Sequence, residues 1–125
     1  MKLWRWEEGR QNGGYRKLTL AFSKRFKFDC YIIVLPQGSS APWHRDPSPE
    51  GYEHHRFNLT LWKPRLGGVT NIDYHVEQGS TLSPRYYVPG RWYTFRPDAY
   101  RHCVSEVIAG SLVLFSFGWL RKISK

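Results

Sequence analysis

His44-Arg45-Asp46 places an imidazole and a carboxylate two residues apart, in a Gly/Ser/Pro-rich loop directly after the apolar run Tyr31 to Leu35. Far downstream, His102 opens another strand pattern, just after Phe95-Arg96-Pro97-Asp98. Two imidazoles and one carboxylate drawn from two strand ends make a 2-His-1-carboxylate set. Such a set holds Fe(II) on one face and leaves the opposite face open to substrate and oxygen chemistry. A His-x-Asp triplet alone is a weak signal, because this composition yields one by chance in roughly one sequence in six. Its setting strengthens it. The triplet sits in a turn after a strand, and the second histidine stands at a strand start, where ligands can converge.

Other histidines compete for the role. His54 and His55 are adjacent near the start of a strand, so they face opposite ways and do not easily share an ion. Asp73-Tyr74-His75 is a reversed carboxylate–imidazole pair inside a strand. Asp98, Arg101 and Glu106 flank His102, and one of them could orient its ring.

The elements that must position these groups are strands. Hydrophobicity repeats with a period of two almost throughout. Strands are predicted at Leu18–Phe22, Phe26–Leu35, Arg56–Lys63, Val69–Val76, Arg85–Val88, Arg91–Phe95, Tyr100–Ile108 and Ser111–Leu120. Ala109-Gly110 reads as a tight hairpin turn between the last two. Residues 3–16 are open to a short helix or an irregular arm, broken at Asn12-Gly13-Gly14. About eight short strands, punctuated by Gly and Pro, predict an all-β sandwich or barrel. Taken as alternating inward and outward positions, Phe57, Leu59 and Leu61 form an apolar inner face that ends in Lys63. Ser111, Val113, Phe115 and Phe117 share a face on the last strand. An apolar interior with one cation at its edge suits an acidic small molecule.

With 125 residues, 41% apolar and 17% aromatic, the chain is long and apolar enough for a single folded domain. Its net charge of +9 is concentrated early: residues 1–28 hold eight Lys and Arg against Glu7 and Glu8. Interleaved with Trp4, Trp6 and Tyr15, these cations could attract nucleic acid or an acidic protein, or form a solvated surface. Cys30 and Cys103 lie inside apolar patterns and read as buried free thiols of a reducing, intracellular and cytoplasmic setting. No signal-peptide pattern and no membrane-length apolar run is seen, so no membrane partner is expected.

On these residues the chain resembles the Fe(II)/2-oxoglutarate-dependent oxygenases. It is most similar to the compact prolyl-hydroxylase-like branch and to small phage or bacterial members. The resemblance spans about residues 28–120. It rests on His44-Arg45-Asp46, on Arg56 to Lys63, on Gly67-Gly68-Val69, and on Phe95 through His102 to Ser116-Phe117-Gly118-Trp119. It implies a double-stranded β-helix, or jelly-roll, core at 28–120 with a basic extension at 1–27. It also implies Fe(II) held by His44, Asp46 and His102, with 2-oxoglutarate and O₂ as cosubstrates and hydroxylation as the outcome. Members often carry Arg or Lys about nine residues after the distal histidine, for the cosubstrate's far carboxylate. Here that position is Ser111. Lys63 is then the first candidate to replace it and Arg56 the second, with Ser111 and Asn58 adding hydrogen bonds.

Two other functions fit the same residues. One is a non-catalytic jelly roll that binds nucleic acid or an acidic partner through its basic face. The other is a cupin-type enzyme using Mn, Zn or Ni without a 2-oxo acid. The substrate, whether protein, nucleic acid or small molecule, is not readable. Trp43, Tyr52, Trp62, Tyr86, Tyr87 and Trp92 are candidates to line an entrance, and a chain of this length has little room for a lid.

Overall fold

A computed structural model describes residues 3–9, 13–73 and 86–123. The described residues form twelve strands: β1 (Trp6–Glu8), β2 (Arg16–Ser23), β3 (Phe28–Leu35), β4 (Ala41–His44), β5 (Tyr52–Trp62), β6 (Leu66–Gly67), β7 (Thr70–Asp73), β8 (Tyr86–Tyr87), β9 (Trp92–Phe95), β10 (Arg101–Val104), β11 (Val107–Ala109) and β12 (Leu112–Lys122). They make a six-stranded sheet in the order β1-β2-β3-β12-β5-β9, a four-stranded sheet β4-β10-β7-β8 and a small β11-β6 pair. Every strand pairing is antiparallel. This is the double-stranded β-helix expected from the sequence. No helix among the described residues is long and apolar enough to cross a membrane.

Segment 1–27, expected as an extension beside the core, contributes β1 and β2 to the large sheet. Leu18 pairs with Ile32 and Thr19 with Tyr31, so this segment is built into the sheet where it is described. Residues 6–8 are strand rather than helix or arm. The strand predicted over Tyr100–Ile108 divides at Ser105-Glu106. Its second half, β11, pairs with β6, while β12 pairs with β3 and β5. Ala109-Gly110 is therefore a crossing between sheets and not a hairpin. Gly110 takes φ +94°, which suits glycine. Of the strands predicted over Val69–Val76 and Arg85–Val88, only Thr70–Asp73 and Tyr86–Tyr87 are strands within the described residues; Tyr74 to Arg85 lie outside them.

The inner face of the large sheet is opposite in parity to the sequence expectation. On β12 the buried residues are Leu112, Leu114, Ser116 and Gly118, and on β5 they are Arg56 and Asn58. Phe57, Leu59, Phe115 and Phe117 point outward. Both faces of these strands are apolar or aromatic in part, so alternation alone does not say which is inside. The interior also carries the polar site, so the more hydrophobic set is the outer one. Outside, aromatic rings stack across the strands: Phe28 on Phe117 at 5.8 Å, and Phe117 near Trp119 at 5.9 Å.

The interior is filled from two sides. Leu35, Val107, Leu112 and Leu114 pack at one end, and Ile72, Tyr93 and Phe95 at the other. Cys30 is buried and Cys103 half-buried, both as free thiols.

Candidate metal centre

The four-stranded sheet builds the centre. His44 ends β4, a strand the sequence left as loop, and His102 lies in β10 directly opposite as its register partner. The two imidazole centroids are 4.2 Å apart. Asp46 follows two residues later, and its backbone N–H donates to the Pro97 carbonyl at 2.9 Å, which fixes the loop against the approach to β10. The His44 Nε2 stands 3.4 Å from the Asp46 carboxylate.

Each ring is oriented by its own strand. Nδ1 of His44 bonds the Pro42 carbonyl at 2.6 Å, and Nδ1 of His102 bonds the Tyr100 carbonyl at 3.0 Å. A carbonyl only accepts, so both Nδ1 atoms carry the proton and Nε2 is the basic nitrogen of each ring. The Phe95 ring stands edge-on to His102 at 5.0 Å and limits its rotation. Ligand atoms of His44, Asp46 and His102 all lie within 4.8 Å of one another. That donor set, with two nitrogens in the basic form and one carboxylate, fits a divalent cation of the Fe, Mn, Zn or Ni class.

The charge states agree with such a centre. Burial alone would push the Asp46 carboxyl up. Contact with the His44 imidazole, and the electrostatic influence of His102, His44 and His54, outweigh burial and hold it below the usual carboxylate range. Burial pushes His102 down, aided by His44 and against the Tyr100 carbonyl, which favours the neutral ligand form.

The centre opens on a cavity of about 810 Å³, bounded opposite by the inner face of the large sheet. Arg56 and Asn58 line it. Lys63 and Ser111 do not. Lys63 is exposed and borders a second cavity of about 470 Å³ near Gly67 and Arg91, and Ser111 precedes β12 on the outward parity.

Arg56 is engaged on both terminal nitrogens. Nη1 donates to Ser116 Oγ at 2.8 Å, and Nη2 pairs with Asp29, whose other oxygen accepts from the Tyr31 hydroxyl at 2.8 Å. Burial, and then Asp29, pushes the Tyr31 hydroxyl above its ordinary range. Asn58 donates to the Tyr93 hydroxyl at 3.0 Å, while its Oδ1 and the Nδ1 of His54 are buried without a hydrogen-bond partner. Both residues line the cavity, so a bound ligand has polar atoms to satisfy there.

The other candidates fall elsewhere. The Tyr100 carbonyl, and not Asp98, Arg101 or Glu106, orients His102. Asp98 pairs with Arg96, and Arg101 with Asp73 at 2.7 Å. Asp73 is thereby committed, and its triplet partners Tyr74 and His75 lie outside the described residues. His54 faces the cavity, while His55 is stacked on Trp119 at 5.6 Å. Trp43, Trp62 and Trp92 are exposed and do not line the cavity. Tyr52 lies beneath Lys27 at 5.4 Å, and the side chains of Tyr86 and Tyr87 lie outside the description. Asp29, Tyr31, Tyr93 and Ser116 were not foreseen. The signal available for Ser116 and Gly118 was two small residues interrupting the aromatic run of the last strand.

No protein-family model matches the sequence, and no curated protein matches it. Solved structures do match. A Pseudomonas putida prolyl-4-hydroxylase is similar over 96% of this chain and 79% of its own, with TM-score 0.65 and 16% identity. The cupin domain of Schizosaccharomyces pombe Cnp3 is similar over 94% and 69%, with TM-score 0.57 and 8% identity. A cupin domain of an XRE-family transcriptional regulator from Enterobacter cloacae is similar over 86% and 98%, with TM-score 0.55 and 14% identity. At these identities the likeness is one of fold: the chain has the jelly-roll fold of cupins, and its His-Asp-His cluster stands where β4 and β10 meet.

Proposed function

We propose that the chain is an Fe(II)- and 2-oxoglutarate-dependent dioxygenase that hydroxylates a substrate presented at the mouth of this cavity. The observation that carries the reading is the triad: His44, Asp46 and His102 converge on the inner wall of a jelly roll, beside an open cavity. The prolyl-4-hydroxylase likeness supports it. When bound, the metal would supply oxygen activation. The chain's own residues position and shield. The Pro42 and Tyr100 carbonyls hold the two rings, and Phe95 covers and braces His102. The partnerless Asn58 Oδ1 and His54 Nδ1 are the polar atoms offered to a ligand.

A second reading is a metal-dependent cupin that uses no 2-oxo acid. One observation favours it: the Arg56 fork is already spent on Asp29 and Ser116, and Lys63 and Ser111 stand outside the cavity.

Anaerobic titration separates the two. Fe(II) with 2-oxoglutarate is expected to give a visible charge-transfer band that His102→Ala abolishes. Tight metal binding by folded protein with no band, and no shift in 2-oxoglutarate affinity, would reject the oxygenase in favour of the cupin reading.

A further inference from the structure

We propose that the β2–β3 turn and the end of β12 form a docking lip for single-stranded nucleic acid, which presents one nucleotide to the metal cavity. This names the substrate class of the site and so rests on the reading above.

The lip is built from two short segments. Lys24, Arg25 and Lys27 lie in the turn, and Arg121 and Lys122 end β12. The Leu120 N–H donates to the Lys27 carbonyl at 3.0 Å, which ties the segments side by side and gathers five cations at one end of the barrel. Lys24, Arg25, Arg121 and Lys122 are exposed. Nearby carboxylates are few: Glu53, opposite Arg121 in the ladder, is held by His55 and Arg96, Asp29 by Arg56, and Glu50 is exposed just before β5. The density of positive charge suits a chain of phosphates.

Phe26 selects among polyanions. It stands at the turn tip, 71% exposed, with the Arg25 guanidinium 5.3 Å from its ring centroid. The turn has a defined shape: the Phe26 N–H donates to Ser23 Oγ at 3.0 Å, and Lys27 takes φ +55°, a left-handed conformation unusual for a non-glycine residue. A fixed, solvent-facing ring flanked by cations is a platform for an unstacked base. An acidic peptide offers charge without that stacking.

The lip is continuous with the centre. Lys24, Lys27 and Leu120 border the same cavity as His44, Asp46 and His102. A base reaches a centre set inside a cavity only after leaving its stack, which favours a single strand over a duplex.

The test is fluorescence anisotropy with a labelled, short, mixed-sequence DNA single strand and the whole chain. The logarithm of the affinity is expected to fall linearly with the logarithm of the salt concentration. Replacing Lys24, Arg25 and Lys27 together by Gln is expected to weaken binding at least tenfold and flatten that slope. Phe26→Ala is expected to weaken binding about tenfold at an unchanged slope. All four residues lie in a surface turn, and unchanged metal affinity and thermal unfolding would show that the fold survives. His102→Ala is expected to keep oligonucleotide binding, so loss of the metal reading and loss of this one are distinguishable. No binding at low salt, or equal binding by the triple variant, overturns the proposal. Equal affinity for the matching duplex, or for polyglutamate with Phe26→Ala silent, overturns it in favour of double-stranded DNA or an acidic protein respectively.

Discussion

Gly118 faces the interior of the large sheet, opposite Arg56 on one side and Asp29 on the other. A Cβ there would stand 2.1 Å from Arg56 Nη2. The missing side chain is what lets a buried guanidinium lie across β12 and reach a carboxylate on β3. Gly118→Ala is therefore expected to cost about 3 kcal/mol in denaturant unfolding, by overpacking and by loosening a buried ion pair. The check is a double-mutant cycle with Arg56→Ala. Most of the Gly118→Ala cost should vanish in that background, and strict additivity would show that the two positions do not collide. This network was illegible in the sequence. Asp29 and Tyr31 on β3, Arg56 on β5 and Ser116 on β12 sit within runs that look apolar or basic, and only the strand register brings the three places together. The metal triad was more legible, because a His-x-Asp turn and a strand-start histidine carry their chemistry in their types and spacing.

The elements were readable as strands, but not in their facing. Periodicity found β3, β5, β9 and β12, yet on β5 and β12 it assigned the outer aromatics to the inside. In a strand with two largely apolar faces, the deciding information lies in what packs on each face. It also missed β4, too short and proline-interrupted to show a period. The turn at 96–100 joins β9 to β10 and is tied to β5 by Arg96, which meets Glu53 at 3.1 Å. Arg96 accepts backbone bonds from Ala99 and Tyr100, both at 3.1 Å, and donates to Asp98 at 2.9 Å. Burial would raise the Asp98 carboxyl. The Arg96 hydrogen bond and the His54 backbone N–H outweigh it, so the carboxyl titrates below its ordinary range. A group depressed by folding stabilises above its unfolded value of about 3.9, and that contribution disappears as pH falls through the folded value. Asp98→Asn is thus expected to cost about 1 kcal/mol near neutral pH. Its unfolding curve should merge with that of the parent protein in strong acid. A gap that persists there would assign the cost to something other than charge.

At the scale of the whole molecule, the all-β reading and the jelly-roll expectation hold, since Gly/Pro punctuation and strand lengths survive any error of facing. Segment 1–27 was less legible. Leu18–Phe22 read as a strand within it, but β1 and the pairing of β2 with β3 did not show, because cations on a sheet and on an extension look alike in sequence. The same architecture gives the four-stranded sheet a weak border. Among the described residues β4 pairs with one strand, β10, and His44 and His102 are opposed across that seam. An ion gripping both rings would act as a rivet between chain segments 58 positions apart, the difference between residues 44 and 102. Deuterium uptake by the amides of residues 41–44 is then expected to be fast in the metal-free protein and to slow about tenfold or more with a divalent ion, while β3 and β12 stay unchanged.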